Sequence, residues 1–320
     1  DWWGTYQIGH PEATVQMLVA LGLGPDRLRP YAGEFLGPDS RTAAAVPGYF
    51  DTLVDARALL APLHAGLLVV AGLLCVRIWG RAVAAATGLL LALEPFLVAH
   101  GRILRTDALL SELMLVAVLA ALAFGVGRAG GWAIAVSAVA TGLAWLTKTP
   151  ALALVGAVPA AAFAGLWAVP TWGTLTSPAP DGGASETLPV AVRRAGRLAG
   201  WLLVWFVGSV AVAFAVWPAL WSRPLRALER MAVYTQEKGG SPMDAGGFFL
   251  GTPVADPGPL YYALALPLRL SPLVLLGLLL WVVLRAPRLR DGVGITLLIG
   301  LGLAVVLALL PKKAGRYILP

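Results

Sequence analysis

The sequence predicts an all-α protein that crosses a membrane several times as a bundle of transmembrane helices, with extracytoplasmic loops and interfacial helices. Of its 320 residues, 58% are hydrophobic and 13% are charged, whereas roughly a quarter of the residues in an average soluble domain are charged. The apolar residues fall in runs of about 15 to 22, separated by short charged clusters, and runs of this length suit a bilayer. We therefore expect a single membrane domain.

Eight apolar runs are candidate membrane spans, because a helix that rises about 1.5 Å per residue must cross roughly 30 Å of hydrocarbon. They lie near residues 58–76, 82–99, 108–127, 132–147, 150–169, 198–217, 271–284 and 293–310, and the seventh is short. This division predicts a first outer loop (1–57), six spans (58–217), a long outer loop (218–270), two spans (271–310) and the start of another outer loop (311–320).

The two ends of the sequence and its single cysteine set further limits. Asp1 opens a polar, turn-rich segment without the pattern of a signal peptide, and the sequence stops soon after a charged cluster. We therefore expect a piece of a longer chain, truncated at both ends. Cys75 lies in an apolar run, so neither a disulfide framework nor a cysteine-based metal site is expected within this chain.

Basic residues near the spans indicate which loops face the cytoplasm. The odd-numbered connections carry a series of arginines, which are Arg77, Arg81, Arg128, Arg193, Arg194, Arg197, Arg285, Arg288 and Arg290. The opposite face, predicted to be extracytoplasmic, also keeps cations against this bias, which suggests that an anion such as a lipid phosphate needs them there. Nucleic acid is not an expected partner despite the net charge of +7, because the cations lie where they would meet lipid headgroups.

The long outer loop contains a predicted interfacial helix. Leu225, Leu228, Met231 and Tyr234 recur at helical spacing between charged residues, a pattern typical of an amphipathic helix in the membrane interface. The Gly-Gly-Ser-Pro segment that begins at Gly239 should end this helix, and three prolines between residues 253 and 259 predict irregular structure after it.

A carboxylate and two cations precede the third span. Arg102, Arg105 and Asp107 lie directly before an apolar helix, where free backbone N–H groups also favour an anion. Two interpretations remain open. Either these residues form a functional site, or Thr106 or Asp107 caps the helix while the arginines extend to the headgroups.

Other cations lie at span ends on the same predicted face. Lys148 occupies a link so short that it must lie near the bilayer surface, either to anchor the helix or to bind an anion. Lys312, Lys313 and Arg316, beside Tyr317, follow the last span. Such a cluster often binds headgroups unspecifically, but its predicted outer location favours a specific phosphate ligand.

Several other classes of site lack support. His10 precedes an apolar stretch too short to span, where a single histidine is more often structural, and His10 with Glu12 is too little for a metal site. Metal dependence stays unknown. The sequence has no Gly-rich Lys-Ser/Thr loop, nucleophile elbow or paired histidines at helical spacing, so nothing supports an ATP-driven pump or a zinc protease.

Several motifs in order along the chain carry a family resemblance. They are His10–Thr14, with Glu12 where the family has Gly, then Arg102–Asp107, Leu146–Pro150, Trp217–Trp221, Glu237–Gly240, Phe248–Gly251 and Pro311–Pro320. Together they resemble the glycosyltransferase C superfamily, in its branch of protein mannosyltransferases and lipid A aminoarabinose transferases, which includes bacterial proteins similar to dolichyl-phosphate-mannose-protein mannosyltransferases.

The resemblance implies a membrane glycosyltransferase that moves a sugar from a polyprenyl-phosphate-linked donor to an acceptor hydroxyl, with inversion, at the extracytoplasmic face. A carboxylate would take the acceptor proton and cations would stabilise the departing lipid phosphate. The family's main catalytic acid precedes the His-Pro motif, so it would lie upstream of Asp1. Asp107 is then expected to be a supporting acid.

The resemblance also implies the binding residues and partners. Substrate-binding roles are expected for His10, Arg102, Lys148, Glu237, Lys238, Lys312, Lys313, Arg316 and Tyr317. Expected partners are the lipid-linked sugar donor, a protein, lipid or glycan acceptor, and membrane lipids. No cofactor is implied with certainty beyond the polyprenyl-phosphate sugar as donor substrate, and the expected location is a bacterial inner or plasma membrane.

Two other functions remain open. A secondary transporter or lipid carrier would place polar groups near the membrane midplane, where Glu94 and Glu112 are the nearest candidates in otherwise almost uncharged spans. A non-catalytic membrane scaffold is the third possibility. The polar residues collect at the outer ends of the spans, and this distribution favours the enzyme.

Overall fold

The protein is a bundle of α-helices with one small β-hairpin. The computed structural model describes residues 13–28, 48–167, 188–239, 247–285 and 292–309. The helices before the long outer loop are α1 (Ala13–Leu23), α2 (Pro25–Leu28), α3 (Tyr49–Trp79), α4 (Arg81–Leu93), α5 (Pro95–Gly101), α6 (Thr106–Gly125), α7 (Gly131–Thr147), a 3₁₀ segment (Thr149–Ala153), α8 (Leu154–Trp167) and α9 (Leu188–Val216). The remaining helices are α10 (Ala219–Ser222), α11 (Pro224–Gly239), α12 (Tyr261–Arg269), α13 (Pro272–Arg285) and α14 (Gly292–Leu309).

Helix α6 is the centre of the bundle. Among the most apolar 18 residues of each helix, 83% are buried in α6, compared with 28% in α3 and 17% in α9. Leu203 and Val207 on α9 are more than half exposed, as expected for side chains that face lipid. Because the apolar windows of α6 and α9 have nearly equal hydropathy, 2.2 and 2.1, it is the packing and not the composition that separates the central helix from a peripheral one.

Small residues let the helices approach closely. A Cβ atom added to Gly125 on α6 would lie 2.3 Å from the backbone oxygen of Ala162 on α8, and one added to Gly142 on α7 would lie 2.6 Å from that of Ser209 on α9. Apolar side chains gain little from leaving lipid for a helix interface, so membrane bundles depend on such close van der Waals contact.

The predicted number of spans is not confirmed. Within the described ranges, three helices are long and apolar enough to cross a membrane, α3, α6 and the segment Gly196–Val216 of α9, or up to five if each of two bent helix pairs counts as one span. Shorter apolar helices are Ala13–Leu23, Gly131–Thr147 and Thr149–Gly165. The chain is therefore an all-α membrane protein by its helices, and three to five candidate spans lie in its described residues.

Two predicted features of the helices differ in the structure. The run 82–99 is broken at Glu94, where α4 and α5 meet at a bend of 61°, because Pro95 begins a new helix. The short seventh run follows α12 with a bend of 111°. The two bends contact each other, since the backbone N–H of Ser271 donates to Glu94 Oε2 at 3.3 Å.

The long outer loop is partly as predicted. Helix α11 spans the predicted amphipathic segment and ends at Gly239, and Leu225 on it is 81% exposed, which suits an interfacial helix. The irregular stretch, however, contains a hairpin of β1 (Gly247–Phe249) and β2 (Thr252–Val254). Leu250 and Gly251 both have positive φ, at 49° and 86°, as a type I′ turn requires.

Candidate functional site

The candidate site begins at the first turn of α6. Asp107 is 4% exposed and lies just inside the helix, whose N-cap is Arg105 in an extended conformation without a side-chain cap bond. Neither Thr106 nor Asp107 therefore occupies the capping position, and that interpretation is wrong. The first-turn N–H groups and the positive dipole end of α6 lie beside the carboxylate.

Lys148 completes a buried ion pair with Asp107. It separates α7 from the 3₁₀ segment and adopts an extended backbone, while Pro150 starts the next turn in a conformation that suits its fixed φ. The Lys148 Nζ donates to Asp107 Oδ1, and the lysine is 8% exposed. A lysine that only anchored a helix would extend to the headgroups, so the geometry favours the functional interpretation of Lys148.

A pair of threonines ties α1 to the same end of the bundle. The hydroxyls of Thr14 and Thr147 are 2.7 Å apart and share a hydrogen bond, and Thr147 Oγ1 also lies 2.7 Å from the Leu143 carbonyl oxygen, to which it donates a second bond. Because Thr147 directly precedes Lys148, α1 lies beside the ion pair. Thr14, the last residue of the first motif, is thus brought to the site.

A small apolar cluster supports this end from the side of the long outer loop. Ala13, Leu146, Trp217 and Ala227 are buried together, so the cluster joins α1, α7, α11 and the turn after α9. Trp217 is 3% exposed, and a buried tryptophan contributes a large apolar area. Trp217, the first residue of the loop motif, therefore packs in the same cluster as Leu146, which directly precedes Thr147.

The other predicted site residues are less closely gathered. Arg102 is exposed beside the start of α6, and Glu237 is exposed near the end of α11. Lys238 belongs to α11 by its backbone. The remaining predicted residues lie outside the described ranges, and they are His10, Lys312, Lys313, Arg316 and Tyr317.

The described residues contain no cluster for a metal ion. Within residues 13–28, 48–167, 188–239, 247–285 and 292–309, no group of three or more His, Cys, Asp or Glu residues has the arrangement to hold one. Three or four protein ligands are typical of zinc sites. The groups that the structure does bring together at the site are a carboxylate and an ammonium group, both buried.

Comparison with known proteins assigns the family. The sequence model of the dolichyl-phosphate-mannose-protein mannosyltransferase family matches residues 8–223, which is more than half of the 320 residues. The chain belongs to this family. No curated protein and no solved structure gives a significant match.

Family membership makes the chain a membrane glycosyltransferase, in agreement with the resemblance seen in its motifs. The matched range contains Asp107, Lys148 and the Trp217 motif, so the ion pair lies in the matched part, whereas Ala227 of the supporting cluster lies beyond it. The range ends at residue 223. The match thus covers the helices from α1 to α10, while α11 and the later segments lie beyond it.

The structure also reveals a polar pair to which the motifs gave no role. His64 on α3 and Glu112 on α6 are both buried, and His64 Nδ1 donates to Glu112 Oε2 at 2.7 Å. Glu112 is an exception in an otherwise apolar span, but no motif includes His64. The signal that finds such pairs is the rarity of ionisable residues at membrane depth, since they almost always pair with one another.

Proposed function

We propose that the protein transfers a sugar from a polyprenyl-phosphate-linked donor to an acceptor hydroxyl at the extracytoplasmic face of the membrane, by an inverting displacement. The single observation that carries the proposal is the buried Asp107–Lys148 ion pair, which lies at the end of the central helix within the family match. The lipid-phosphate donor, the side of the membrane and the stereochemistry are the parts that go beyond family membership.

The two partners of the ion pair suit opposite parts of such a reaction. A departing lipid phosphate carries negative charge, which the Lys148 ammonium would stabilise. Asp107 would orient the acceptor or balance the lysine charge, as a supporting acid, while another carboxylate would be the main proton acceptor. Low exposure of both side chains strengthens these interactions, because the local dielectric constant is low.

An apolar cleft, whose lining includes Leu152 four residues after Lys148, suits the lipid part of the donor. The cleft has a volume of about 760 Å³ and lies between α6, α8 and α14, with Met114, Gly156 and Ile299 among its lining residues. Its lining starts at Leu152, four residues after Lys148, and continues along α8 to Ala164, a length of about 18 Å at the rise of a helix. A polyprenyl chain placed there would have its phosphate near Lys148.

A transfer assay with the full-length protein tests the proposal. We expect membranes that contain the wild-type protein to move a labelled sugar from a polyprenyl phosphate to an acceptor. Asp107→Asn should lower the rate about 100-fold, as expected when a group that positions a reactant is lost. Glu229→Gln, on the exposed side of α11, is the matched control and should keep the wild-type rate. Wild-type transfer in Asp107→Asn would contradict the assigned site.

The cleft has its own test. Ala157→Trp fills it with a large side chain, so the KM for the polyprenyl donor should rise about tenfold while a short-chain donor is affected less. Leu203→Trp, on the exposed face of α9, is the control for added bulk. Equal KM values for the polyprenyl donor in Ala157→Trp and Leu203→Trp would show that the cleft does not bind the donor.

Labelling tests the membrane side. A cysteine placed at Ser241 in a Cys75→Ala background should react with an impermeant maleimide added from outside the cell. Labelling only from the cytoplasmic face would overturn the proposed orientation. Inversion is tested separately, by the anomeric configuration of the product.

A secondary transporter remains the second candidate, because two helix bends meet at a buried carboxylate. Glu94 is 7% exposed and contacts the N-terminus of α13 through the Ser271 backbone, and broken helices near polar groups are typical of transporter sites. Substrate uptake by reconstituted vesicles, without sugar transfer, would favour this function. Glu94→Gln should then abolish uptake, whereas the glycosyltransferase should be less sensitive to this change than to Asp107→Asn.

A further inference from the structure

The His64–Glu112 pair joins α3 and α6. His64 is the central residue of α3, and Glu112 lies in the second turn of α6. The distance from His64 Nδ1 to Glu112 Oε2 is 2.7 Å, and their side chains are 11% and 5% exposed. The pair therefore lies inside the bundle and not at its surface.

Apolar neighbours surround both members of the pair. On α3, Leu60 and Ala71 are buried on the same helical face as His64, and on α6, Leu109 and Leu113 flank Glu112. A leucine would suit either position by helical periodicity. Two ionisable residues in such a contact are rare at membrane depth and by default indicate function.

The pair is also an incomplete polar contact. Among the described residues, His64 Nε2 is buried without a hydrogen-bond partner, and a buried polar atom without a partner is unfavourable compared with apolar packing. Replacing a buried ionic pair by apolar residues often leaves stability unchanged or higher. Stability alone therefore does not explain why α3 and α6 meet through His64 and Glu112.

The pair and the candidate site share one helix. Glu112 follows Asp107 by five residues, which places it about 7.5 Å further along α6 and about 140° around its axis. Asp107 bonds to Lys148 after α7, whereas Glu112 bonds to α3. Two polar contacts in different directions and at different depths fix the rotation of α6 about its axis. Apolar side chains can slide past one another, so apolar packing alone defines this rotation less sharply.

We propose that His64 and Glu112 are a positioning pair, which holds α6 in the rotation that directs the Asp107 carboxylate at the Lys148 amine. The inference concerns the geometry of the ion pair, and its consequence for catalysis rests on the proposed sugar transfer. Neither residue touches substrate in this role. The pair would act on Asp107 from a position one to two turns further along α6.

A stability measurement tests the geometry without any assay of activity. The coupling between Asp107 and Lys148 is measured by a double-mutant cycle with Asp107→Asn and Lys148→Met, using unfolding in detergent. The cycle is repeated in the apolar background His64→Leu with Glu112→Met, and in the conservative background His64→Asn. The asparagine Nδ2 takes the place of the imidazole Nδ1, so that it can still donate to Glu112.

The expected result is a loss of coupling only in the apolar background. There the coupling should fall below about half of its wild-type value, while the protein itself unfolds at a temperature close to that of the wild type. His64→Asn should keep most of the coupling. Equal coupling in all three backgrounds would overturn the proposal, because the pair would then have no effect on how Asp107 meets Lys148.

Kinetics of sugar transfer provide the second readout. In the apolar background, kcat should fall about 10- to 100-fold, as expected when a reacting group is displaced by a fraction of an ångström to 1 Å, while KM for the donor stays about constant. Loss of the pair in an Asp107→Asn protein should cause little further loss, since the pair acts through Asp107. A full additional loss in that protein would instead indicate an independent structural role.

The two measurements separate this inference from the proposed function. If no variant, including the wild type, transfers sugar but the coupling depends on His64, the proposed function fails and the positioning of Asp107 stands. If the wild type transfers sugar and neither coupling nor kcat depends on His64, the positioning inference fails and the function stands.

Discussion

Replacement of Lys148 by methionine is the sharpest test of the candidate site. Methionine keeps an unbranched side chain of similar length, so the change removes the ammonium group with little change in packing. The Asp107 carboxylate then remains 4% exposed without the cation that binds its Oδ1. The short side chain of Asp107 cannot extend to water, whereas the long side chain of a lysine can.

The size of the effect follows from this burial. Breaking a buried ion pair by removing one partner destabilises a protein by about 3 to 5 kcal/mol, because the remaining charge is left uncompensated. We expect a value near the lower end for Lys148→Met, since the pair lies at a helix end and not at the centre of the bundle. Asp107→Asn should destabilise less, because the lysine stem can move its amine towards the surface.

The double variant shows that the lost stability belongs to the pair. Asp107→Asn with Lys148→Met leaves no unpaired charge at these positions, so its stability should recover to within about 1 kcal/mol of the wild type. Sugar transfer should stay low in all three variants. Unfolding in detergent gives the free energies, and the transfer assay on membranes gives the rates.

The reasoning would be refuted by additive effects. If the loss of stability in the double variant equals the sum of the two single losses, Asp107 and Lys148 do not interact energetically. A Lys148→Met protein as stable as the wild type would likewise show that the carboxylate is not held by the lysine. Full transfer activity in the double variant would remove the pair from the reaction.

Three further predictions concern the packing around the site. Gly142→Ala should destabilise the bundle by about 1 to 3 kcal/mol, because the added Cβ atom has no room between α7 and α9. Gly156→Ala, where an added Cβ meets open space, should change stability by less than about 1 kcal/mol. Thr14→Val removes the hydrogen bond to Thr147 and should destabilise by about 1 kcal/mol, measured by unfolding in detergent. Trp217→Ala should destabilise by about 3 to 5 kcal/mol, since this side chain is nearly fully buried.

Each of these predictions has a clear contrary result. Equal stability of the two glycine variants would show that α7 and α9 are not in close contact. A Thr14→Val protein that unfolds like the wild type and transfers sugar normally would remove α1 from the site. If Trp217→Leu, a smaller apolar change, were as harmful as Trp217→Ala, cavity formation would not be the cause.

Part of the site could be predicted from the sequence because its motifs place charged residues at the ends of apolar runs. Asp107 and Lys148 follow or precede apolar runs, and a charge that ends a span is confined to a thin layer near the bilayer surface. The sequence could not show that they meet. They are 41 positions apart in the chain and are separated by α6 and α7, whose mutual packing decides which span ends are neighbours.

The break at Glu94 and the hairpin were missed for local reasons. Pro95 is compatible with a helix start as well as with a kink inside a span, and hydropathy does not distinguish the two. In the hairpin, Leu250 occupies a position with positive φ, where glycine or asparagine is the usual signal. The family motif around Phe249 marked the segment without indicating its backbone.

The sequence by itself determined that the chain is a helical membrane protein, because the length and apolarity of its runs leave no other way to satisfy the backbone. Its ordered motifs also determined the family. Only the tertiary structure decided that α6 is the central helix, that Asp107 pairs with Lys148, and that His64 meets Glu112. These contacts join residues far apart in the chain, and they depend on close packing between helices whose apolar surfaces all look alike in the sequence.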